Sequence, residues 1–409
     1  MKKSLFLTIC IALSVMLIST GCQSAQAESG TSQQTEAVQN KQEETVTSET
    51  EDVSPVQQLM DSMTLREKIG QMFFIRPDCL DLTQTKQQIA DPYVQGVTQL
   101  SEDMISVLKN YPAGGVVLFS KNMENPDQLK AFNDSLQQSS DIPLFISVDE
   151  EGGAVSRIAN HSEFDVEKYE SAAAMGDTGD PENALAMGKT IGEYLGKYGF
   201  NMNFAPVADV NTNPDNPVIG SRAFSDNPAT AAEMADAVAQ GLKNQGIIPT
   251  YKHFPGHGDT AEDSHSSIAV SFKTINQMEI CEWLAFKNAA ENDLVMVGHI
   301  AVPEITGDMT PSTLSYMVVT DILKNQLGFE GLVITDAMEM GAVTENYKGT
   351  QAAVLAINAG CDVILCPDGF TEVFDGVVKA VENGEISESR IDESVEKILE
   401  FKISYGILK

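Results

Sequence analysis

A short apolar run, rich in Val, Ile and Phe, recurs eight times along the chain, and this repetition limits the folds that it can adopt. The runs begin at Gly70, Ala113, Pro143, Phe200, Ile247, Leu294, Gly331 and Cys361. Several of the amphipathic stretches between them open with Asn-Pro or Asp-Pro and close on glycine, which are helix start and stop signals. Apolar strands that alternate with helices indicate a parallel sheet covered on both faces. Eight such units in 409 residues predict an α/β fold, a (β/α)8 TIM-type barrel in a single domain, with a doubly wound sheet as the alternative.

The first residues have the pattern of an export signal. A basic start precedes an apolar run that is long enough for a secretory signal and short for a membrane span. The run ends in Gly21-Cys22, which resembles a bacterial lipoprotein signal, so residues 1–21 are predicted to be removed and Cys22 to carry the lipid. Ser19 stands where that pattern usually has Leu, Val or Ile. Ordinary cleavage near Ala25 or Ala27, with release of a secreted protein, therefore stays open.

Residues 22–54 are predicted to be a disordered, acidic and polar linker, and residues 55–409 to be the folded domain. The linker has no aromatic residue and is dominated by Gln, Glu, Ser and Thr, a composition that cannot form a packed core. The whole chain has 59 Asp and Glu against 26 Lys and Arg, for a net charge of −33. Because such a charge repels polyanions, we expect no nucleic-acid partner. Membrane association is expected only through the lipid on Cys22.

The cysteines of the folded part do not indicate disulfides or a structural zinc site. Cys79, Cys281, Cys361 and Cys366 remain there, and no CxxC pair occurs. Cys361 and Cys366 are five positions apart in a predicted strand, too far for a disulfide at about 3.3 Å per residue. We expect both to be small buried hydrophobic residues.

Polar side chains stand at the carboxyl ends of four of the predicted strands. They are Asp149 and Glu150, Lys252 and His253, His299, and Asp336. One such residue alone is explained by a cap or loop hydrogen bond. In a barrel, however, these strand ends converge on one face, so four of them together predict a functional site.

Three of the five histidines, His253, His257 and His265, fall in the segment KHFPGHGDTAEDSH that begins at Lys252. A metal site is one interpretation, but the Pro and Gly residues indicate a loop, and no HExxH helix occurs, so we expect no metal. Asp263 lies two positions before His265 and can orient its ring and stabilise the protonated form. Asp336 is then available as a nucleophile or charge stabiliser.

This segment, with VDEEGGAVSR from Val148 and ITDAMEMGAV from Ile334, resembles glycoside hydrolase family 3, in particular its β-N-acetylglucosaminidase (NagZ-like) branch. The resemblance runs from about Met63 to the C-terminus. It implies a retaining double displacement in which Asp336 is the nucleophile and His265 the general acid/base, assisted by Asp263. This acid is unusual, because most glycosidases use two carboxyl groups.

The resemblance also implies a set of residues that bind the terminal sugar. They are Asp149, Arg157, Arg222, Lys252 and His253. A carboxylate can accept from two hydroxyls, and Arg or Lys donates without having to lose a proton. A structural ion pair is the alternative for Arg222. His257 is expected to stabilise its loop, and the role of His299 stays open.

The expected activity is that of an exported β-N-acetylhexosaminidase acting on peptidoglycan fragments or chitooligosaccharides as a monomer and without a cofactor. A β-glucosidase of the same family is one alternative. An N-acetylglucosaminide phosphorylase is another, because a His acid/base lacks the fixed negative charge that would repel phosphate. A lipid-anchored protein that binds a sugar without chemistry is the alternative outside the enzymes.

Overall fold

The computed structural model describes residues 54–264 and 267–409. The predicted signal at 1–21, the lipidation site Cys22 and nearly all of the linker lie outside the described residues. The predicted acid/base His265 does so as well.

All eight predicted apolar runs form parallel strands, and they pair in chain order around a ring. The strands are β1 (Phe73–Ile75), β2 (Gly115–Leu118), β3 (Phe145–Val148), β4 (Met202–Asn203), β5 (Ile248–Phe254), β6 (Leu294–Val297), β7 (Leu332–Thr335) and β8 (Ile364–Leu365). Each pairs with the next, and β8 also pairs with β1. The prediction of a (β/α)8 barrel is confirmed, and the doubly wound alternative is wrong.

The ring closes between β7 and β8 through one isolated parallel bridge, Ile334–Val363. Beside the bridge, the buried Asp362 carboxylate accepts from the Val333 amide at 3.0 Å and from the Ser394 hydroxyl at 2.8 Å. Lys324 and Arg390 each lie 3.3 Å from the same carboxylate. A side-chain network therefore reinforces the shortest pairing of the barrel.

The strands read as continuous apolar runs because both of their faces are covered. Every residue of β2 and β3 is buried, and the rings of Phe74 and Phe145 lie 5.4 Å apart inside the barrel. Helices cover the outer face, as expected for a parallel sheet. Two short pairs of strands lie outside the ring, Glu150–Gly152 with Val155–Ser156 and Ala269–Val270 with Ile300–Ala301.

The helices begin where the Asn-Pro and Asp-Pro pairs predict. The side chains of Asn125, Asp180 and Asn227 accept from amides of the first turn at 3.0, 3.0 and 2.9 Å, with Pro as the first helical residue. The α-helices are Pro55–Ser62, Leu65–Gln71, Lys86–Ala90, Glu102–Asn110, Pro126–Gln138, Ala172–Gly176, Pro181–Lys197, Pro228–Lys243, Ile275–Glu279, Trp283–Phe286, Pro303–Thr306, Gly341–Thr344, Gly349–Ala359, Phe370–Glu382 and Glu388–Ser404, with a π-helix at Met317–Gln326. Within residues 54–264 and 267–409, none of these helices has the length and apolarity that crossing a membrane requires.

The last helix, Glu388–Ser404, closes the amino-terminal end of the barrel. Its Lys402 is fully buried and donates to Gln71 Oε1 at 2.7 Å, with its ammonium 5.0 Å from the centre of the Phe145 ring. Gln71 precedes β1 and Phe145 begins β3, so the lysine sits beneath the strands, opposite the predicted site. Burial lowers the pKa of Lys402 to about 7.

The four cysteines of the described part of the chain are free, as predicted. Cys361 and Cys366 are buried, whereas Cys79 and Cys281 are half-buried.

Candidate active site

A cavity of about 350 Å³ opens at the carboxyl ends of the strands. Six of the predicted site residues line it: Asp149, Arg157, Arg222, Lys252, His253 and Asp336. Asp263 is half-buried and is not part of this wall, but its neighbour Ser264 is. Ser264 is the residue directly before His265 in the sequence.

A chain of ion pairs crosses the cavity from β3 to β5. Lys252 Nζ donates to Asp149 Oδ1 at 2.8 Å and lies 2.6 Å from Glu151 Oε1. Arg222 grips the same Glu151 with two bonds, from Nε at 2.9 Å and from Nη2 at 2.8 Å. The two-pronged geometry fixes both groups in orientation as well as in charge.

The pairing keeps these buried carboxyl groups ionised. Burial alone would raise the pKa of Glu151, but Arg222 and Lys252 outweigh it and hold the pKa at about 2. Burial would also raise the pKa of Asp149, and Lys252 with Arg157 instead holds it well below the usual range. The site therefore offers fixed negative oxygens at neutral pH.

Arg157 completes the wall beside Asp149. Its Nη2 donates to Asp149 Oδ2 at 3.2 Å, and its guanidinium lies 5.4 Å from the centre of the Phe119 ring. Its buried Nε has no hydrogen-bond partner among the described residues. A tight turn brings Arg157 back to the cavity, and it passes through Gly152 and Gly153 at φ values of 87° and 79°, which favour glycine.

His253 is oriented by Asp209, a residue that the sequence reasoning missed. His253 Nδ1 lies 2.7 Å from Asp209 Oδ2, and the other oxygen accepts from the His257 amide at 2.6 Å. Burial would raise the pKa of Asp209, but His253 outweighs it and the pKa is lowered. Because an ionised carboxylate only accepts, His253 donates through Nδ1, which leaves its Nε2 for the cavity. The Lys252–His253 and Phe254–Pro255 peptide bonds are cis.

His257 is bonded within its own loop. Its Nε2 lies 3.0 Å from the Ser264 hydroxyl and its Nδ1 lies 2.7 Å from the Thr260 hydroxyl. Burial lowers the pKa of His257, so its ring is neutral near pH 7. These contacts tie the start of the loop to the position just before His265, which agrees with the expected stabilising role.

Asp336 follows β7, and its Oδ1 accepts from the Ala337 amide at 2.7 Å. His299 is fully buried and donates through Nε2 to the Ala337 carbonyl at 3.0 Å, while its Nδ1 lies 2.7 Å from the Thr313 hydroxyl. His299 thus supports the peptide next to Asp336. Glu150, another strand-end residue, points away from the cavity and accepts from two amides and from the Tyr194 hydroxyl.

Arg76 and Glu339 form a further pair in the wall that the motifs did not reveal. Arg76 follows β1, and its Nε donates to Glu339 Oε1 at 2.7 Å. Its guanidinium stacks 3.6 Å from the centre of the Phe119 ring. The position of Arg76 at a strand end could have identified it, by the same reasoning that found Asp149 and Asp336.

Among residues 54–264 and 267–409, no group of three or more His, Cys, Asp or Glu side chains is arranged to hold a metal ion. A closed parallel barrel whose carboxyl face carries paired acids and cations around a cavity defines the site of a (β/α)8 enzyme. The family model "Glycosyl hydrolase family 3 N terminal domain" matches residues 64–401. The chain belongs to glycosyl hydrolase family 3, and the resemblance seen in the sequence is confirmed.

Similar proteins carry hexosaminidase names. Beta-hexosaminidase A of Pseudoalteromonas piscicida is 29% identical, over 75% of this chain and 56% of that protein. Beta-hexosaminidase LpqI of Mycobacterium tuberculosis is 31% identical, over 78% of this chain and 83% of that protein. A family 3 β-N-acetylglucosaminidase structure from Paenibacillus sp. str. FPU-7 aligns with a TM-score of 0.77 at 34% identity, covering 85% of this chain and 63% of its own. The chain thus spans less than two thirds of the first and third of these.

Proposed function

We propose that the protein is a retaining β-N-acetylhexosaminidase that removes terminal β-linked N-acetylglucosamine. The observation that carries the proposal is the joining of Asp149, Lys252 and Glu151 on one side of a cavity that also holds Asp336. Family membership and the names of the relatives support the same activity. Peptidoglycan fragments and chitooligosaccharides are the proposed natural sources of the terminal sugar.

In this proposal the ion-paired wall binds the non-reducing sugar. Asp149 accepts from sugar hydroxyls, Lys252 donates to sugar oxygens, and the Nε2 of His253, whose Nδ1 donates to Asp209, accepts from a sugar hydroxyl. The unpartnered Nε of Arg157 offers one more donor. Arg222 acts through Glu151, which it holds in place for Lys252.

The proposed reaction is a double displacement. Asp336 attacks the anomeric carbon while His265 gives a proton to the departing oxygen, and His265 then removes a proton from the water that releases the sugar. Asp263 orients the imidazole. The amide of Ala337 donates to Oδ1 of Asp336 and helps to fix the orientation of the carboxylate.

Water is the proposed acceptor rather than phosphate. The described wall contains four Arg and Lys side chains, and each is paired with a carboxylate: Arg76 with Glu339, Arg157 and Lys252 with Asp149, and Arg222 with Glu151. A wall without surplus positive charge attracts a phosphate dianion weakly. Product analysis with and without phosphate distinguishes N-acetylglucosamine from its 1-phosphate.

We also propose that the protein is exported and held on the outer face of the cell membrane by a lipid on Cys22. The signal-like first 21 residues and the small residues before Cys22 support this location.

The activity is tested with p-nitrophenyl β-N-acetylglucosaminide and the variant Asp336→Ala. We expect the unchanged protein to release p-nitrophenol and the variant to lose turnover by at least about 10³-fold, because it lacks the nucleophile. A fluorinated substrate analogue should label a peptide that contains Asp336, and both proteins should melt at similar temperatures. Sugar binding without hydrolysis would favour the binding-protein alternative. Faster cleavage of p-nitrophenyl β-glucoside than of the N-acetylglucosaminide would favour a β-glucosidase. Labelling of a peptide without Asp336 would reject Asp336 as the nucleophile.

A further inference from the structure

A second groove, of about 530 Å³, adjoins the catalytic cavity. Its walls come from the segment after β1 and from the segment after β8. Ala90 and Glu339 line both the groove and the cavity, so the two spaces share a wall at these residues. A ligand that fills the cavity and continues beyond it can enter this groove.

The order of the strands places the groove beside Asp336 and across the barrel from the proposed sugar-binding wall. Asp149 follows β3 and Lys252 lies in β5, whereas Asp336 follows β7 and the groove lies at the ends of β8 and β1. A sugar gripped from the β3–β5 side turns its anomeric carbon toward Asp336. The leaving oxygen departs on the face of that carbon opposite Asp336, and from there the rest of a longer substrate can reach over Glu339 into the groove.

The groove carries more negative than positive charge. Its described lining contains the four acids Asp81, Glu339, Asp368 and Glu372 and the one basic residue Lys86. Lys86 Nζ lies 3.0 Å from Asp368 and 4.0 Å from Glu372, and Glu339 is paired with Arg76.

Asp81 and Glu372 supply most of the uncompensated charge. The Thr83 hydroxyl bonds Asp81 and lowers the pKa of that carboxyl, so it is ionised at neutral pH. The Glu372 side chain is 79% exposed, at the edge of the Lys86 pair. Leu82, 63% exposed, adds an apolar surface against which a sugar ring can pack.

We propose that this groove is a subsite for the leaving-group sugar that accepts a neutral or cationic hexosamine and disfavours one that carries a carboxylate. The second N-acetylglucosamine of a chitooligosaccharide, or glucosamine itself, meets that requirement. The lactyl carboxylate of N-acetylmuramic acid would face the acidic wall. This assignment rests on the proposed hexosaminidase function and selects among its substrates.

The test compares kcat/KM for chitobiose with that for the disaccharide of N-acetylglucosamine and N-acetylmuramic acid. Each value is divided by the same protein's kcat/KM for the p-nitrophenyl glycoside, whose leaving group carries no carboxylate. We expect the unchanged protein to prefer chitobiose. The double variant Asp81→Asn, Glu372→Gln should reduce the preference for chitobiose by about fivefold or more, because it removes most of the uncompensated negative charge that would repel a carboxylate. Lys86→Gln should increase the preference.

Glu400→Gln, on an exposed position of the last helix, is the matched control and should leave the preference unchanged. In 0.5 M salt the preference of the unchanged protein should shrink, because the groove is open to solvent. Equal kcat/KM for the two disaccharides would overturn the subsite, and so would a preference that neither the double variant nor salt changes. In either case, hydrolysis of the aryl glycoside would still support the proposed function. Failure to cleave the aryl glycoside would instead reject the function, and the subsite with it.

Discussion

Single side chains in the cavity depend on one another for charge balance. Lys252 is shared between Asp149 and Glu151, and Arg222 is held by Glu151 alone among these groups. Removing one member leaves another charge buried without its partner, which costs more than the pair contributes when it is intact. The residues of the proposed sugar-binding wall are therefore also residues on which folding stability depends.

Glu151→Gln tests this dependence. The variant leaves Arg222 with a neutral partner and Lys252 with Asp149 as its remaining charged partner, so we expect the free energy of unfolding to fall by about 3 kcal/mol. We also expect kcat/KM for the aryl glycoside to fall by about tenfold or more, mainly through KM, because Lys252 loses its position. Urea unfolding and steady-state kinetics measure both. Glu163→Gln, on an exposed loop, serves as the control, and an unchanged KM in Glu151→Gln would contradict the positioning role.

His265→Ala separates an acid/base from a metal ligand. A general acid matters most for poor leaving groups, so the variant should cleave chitobiose about 10²-fold to 10⁴-fold more slowly, yet still form the intermediate from a dinitrophenyl glycoside. Azide should restore part of the turnover by replacing the activated water. Asp263→Asn should show a milder form of this pattern. A chelator that silences the unchanged enzyme, with recovery on addition of a divalent metal, would contradict the acid/base assignment.

At the scale of elements, the last helix contributes a buried charge beneath the strands. The pKa of Lys402 is about 7 in the folded protein, against an ordinary value of 10.5, so the unfolded state binds more protons between those values. The free energy of unfolding should therefore rise with pH over that window, by up to about 1.4 kcal/mol per pH unit from this group. Below about pH 7 its contribution becomes constant.

The variant Lys402→Met removes the contribution of this lysine to the pH dependence of the unfolding free energy. We expect the variant to unfold at a higher urea concentration than the unchanged protein at pH 7, with the difference shrinking as pH approaches 10. Urea unfolding at several pH values measures it. Lys379→Met, an exposed lysine on the helix Phe370–Glu382, should leave the pH dependence as it was. A parallel pH dependence in Lys402→Met would show that the lysine is not the source.

The strands and helix starts could be predicted because the signals for them lie within short stretches of sequence. Apolar runs marked all eight strands, and Asn125 and Asp180 each cap the helix that their proline opens. Asp209 and the Arg76–Glu339 pair were missed, because neither Asp209 nor Arg76 lies in a recognised motif and the residues that pair are distant in sequence. Arg76 and Glu339 are 263 positions apart in the sequence, and they come into contact only because β8 pairs with β1 and closes the barrel.

At the scale of the whole molecule, the proposed export and anchoring depend on residues outside the barrel. If Cys22 carries the lipid, Cys22→Ala should move the protein from the membrane fraction to the soluble exported fraction, because acyl chains supply the membrane affinity. Cell fractionation followed by immunoblotting measures this. Cys281→Ala, a half-buried cysteine of the barrel domain, should stay with the membrane. The same distribution for both variants would mean that no lipid is attached at Cys22.

The joint between β7 and β8 makes the integrity of the ring responsive to acid. Elsewhere backbone ladders join the strands, whereas here the Asp362 carboxylate supplements a single bridge and the few backbone hydrogen bonds beside it. Burial would raise the pKa of Asp362, yet Lys324 and Arg390 outweigh burial and lower the pKa. The ionised carboxylate therefore supports the joint fully at neutral pH, and this support is lost as pH falls through the lowered pKa.

The variant Asp362→Asn tests the role of the carboxylate. Amide hydrogens of β8 should exchange faster than those of β2 in this variant, as measured by mass spectrometry, and equal exchange rates would contradict the role. Acid would then loosen the barrel first at the joint between β7 and β8.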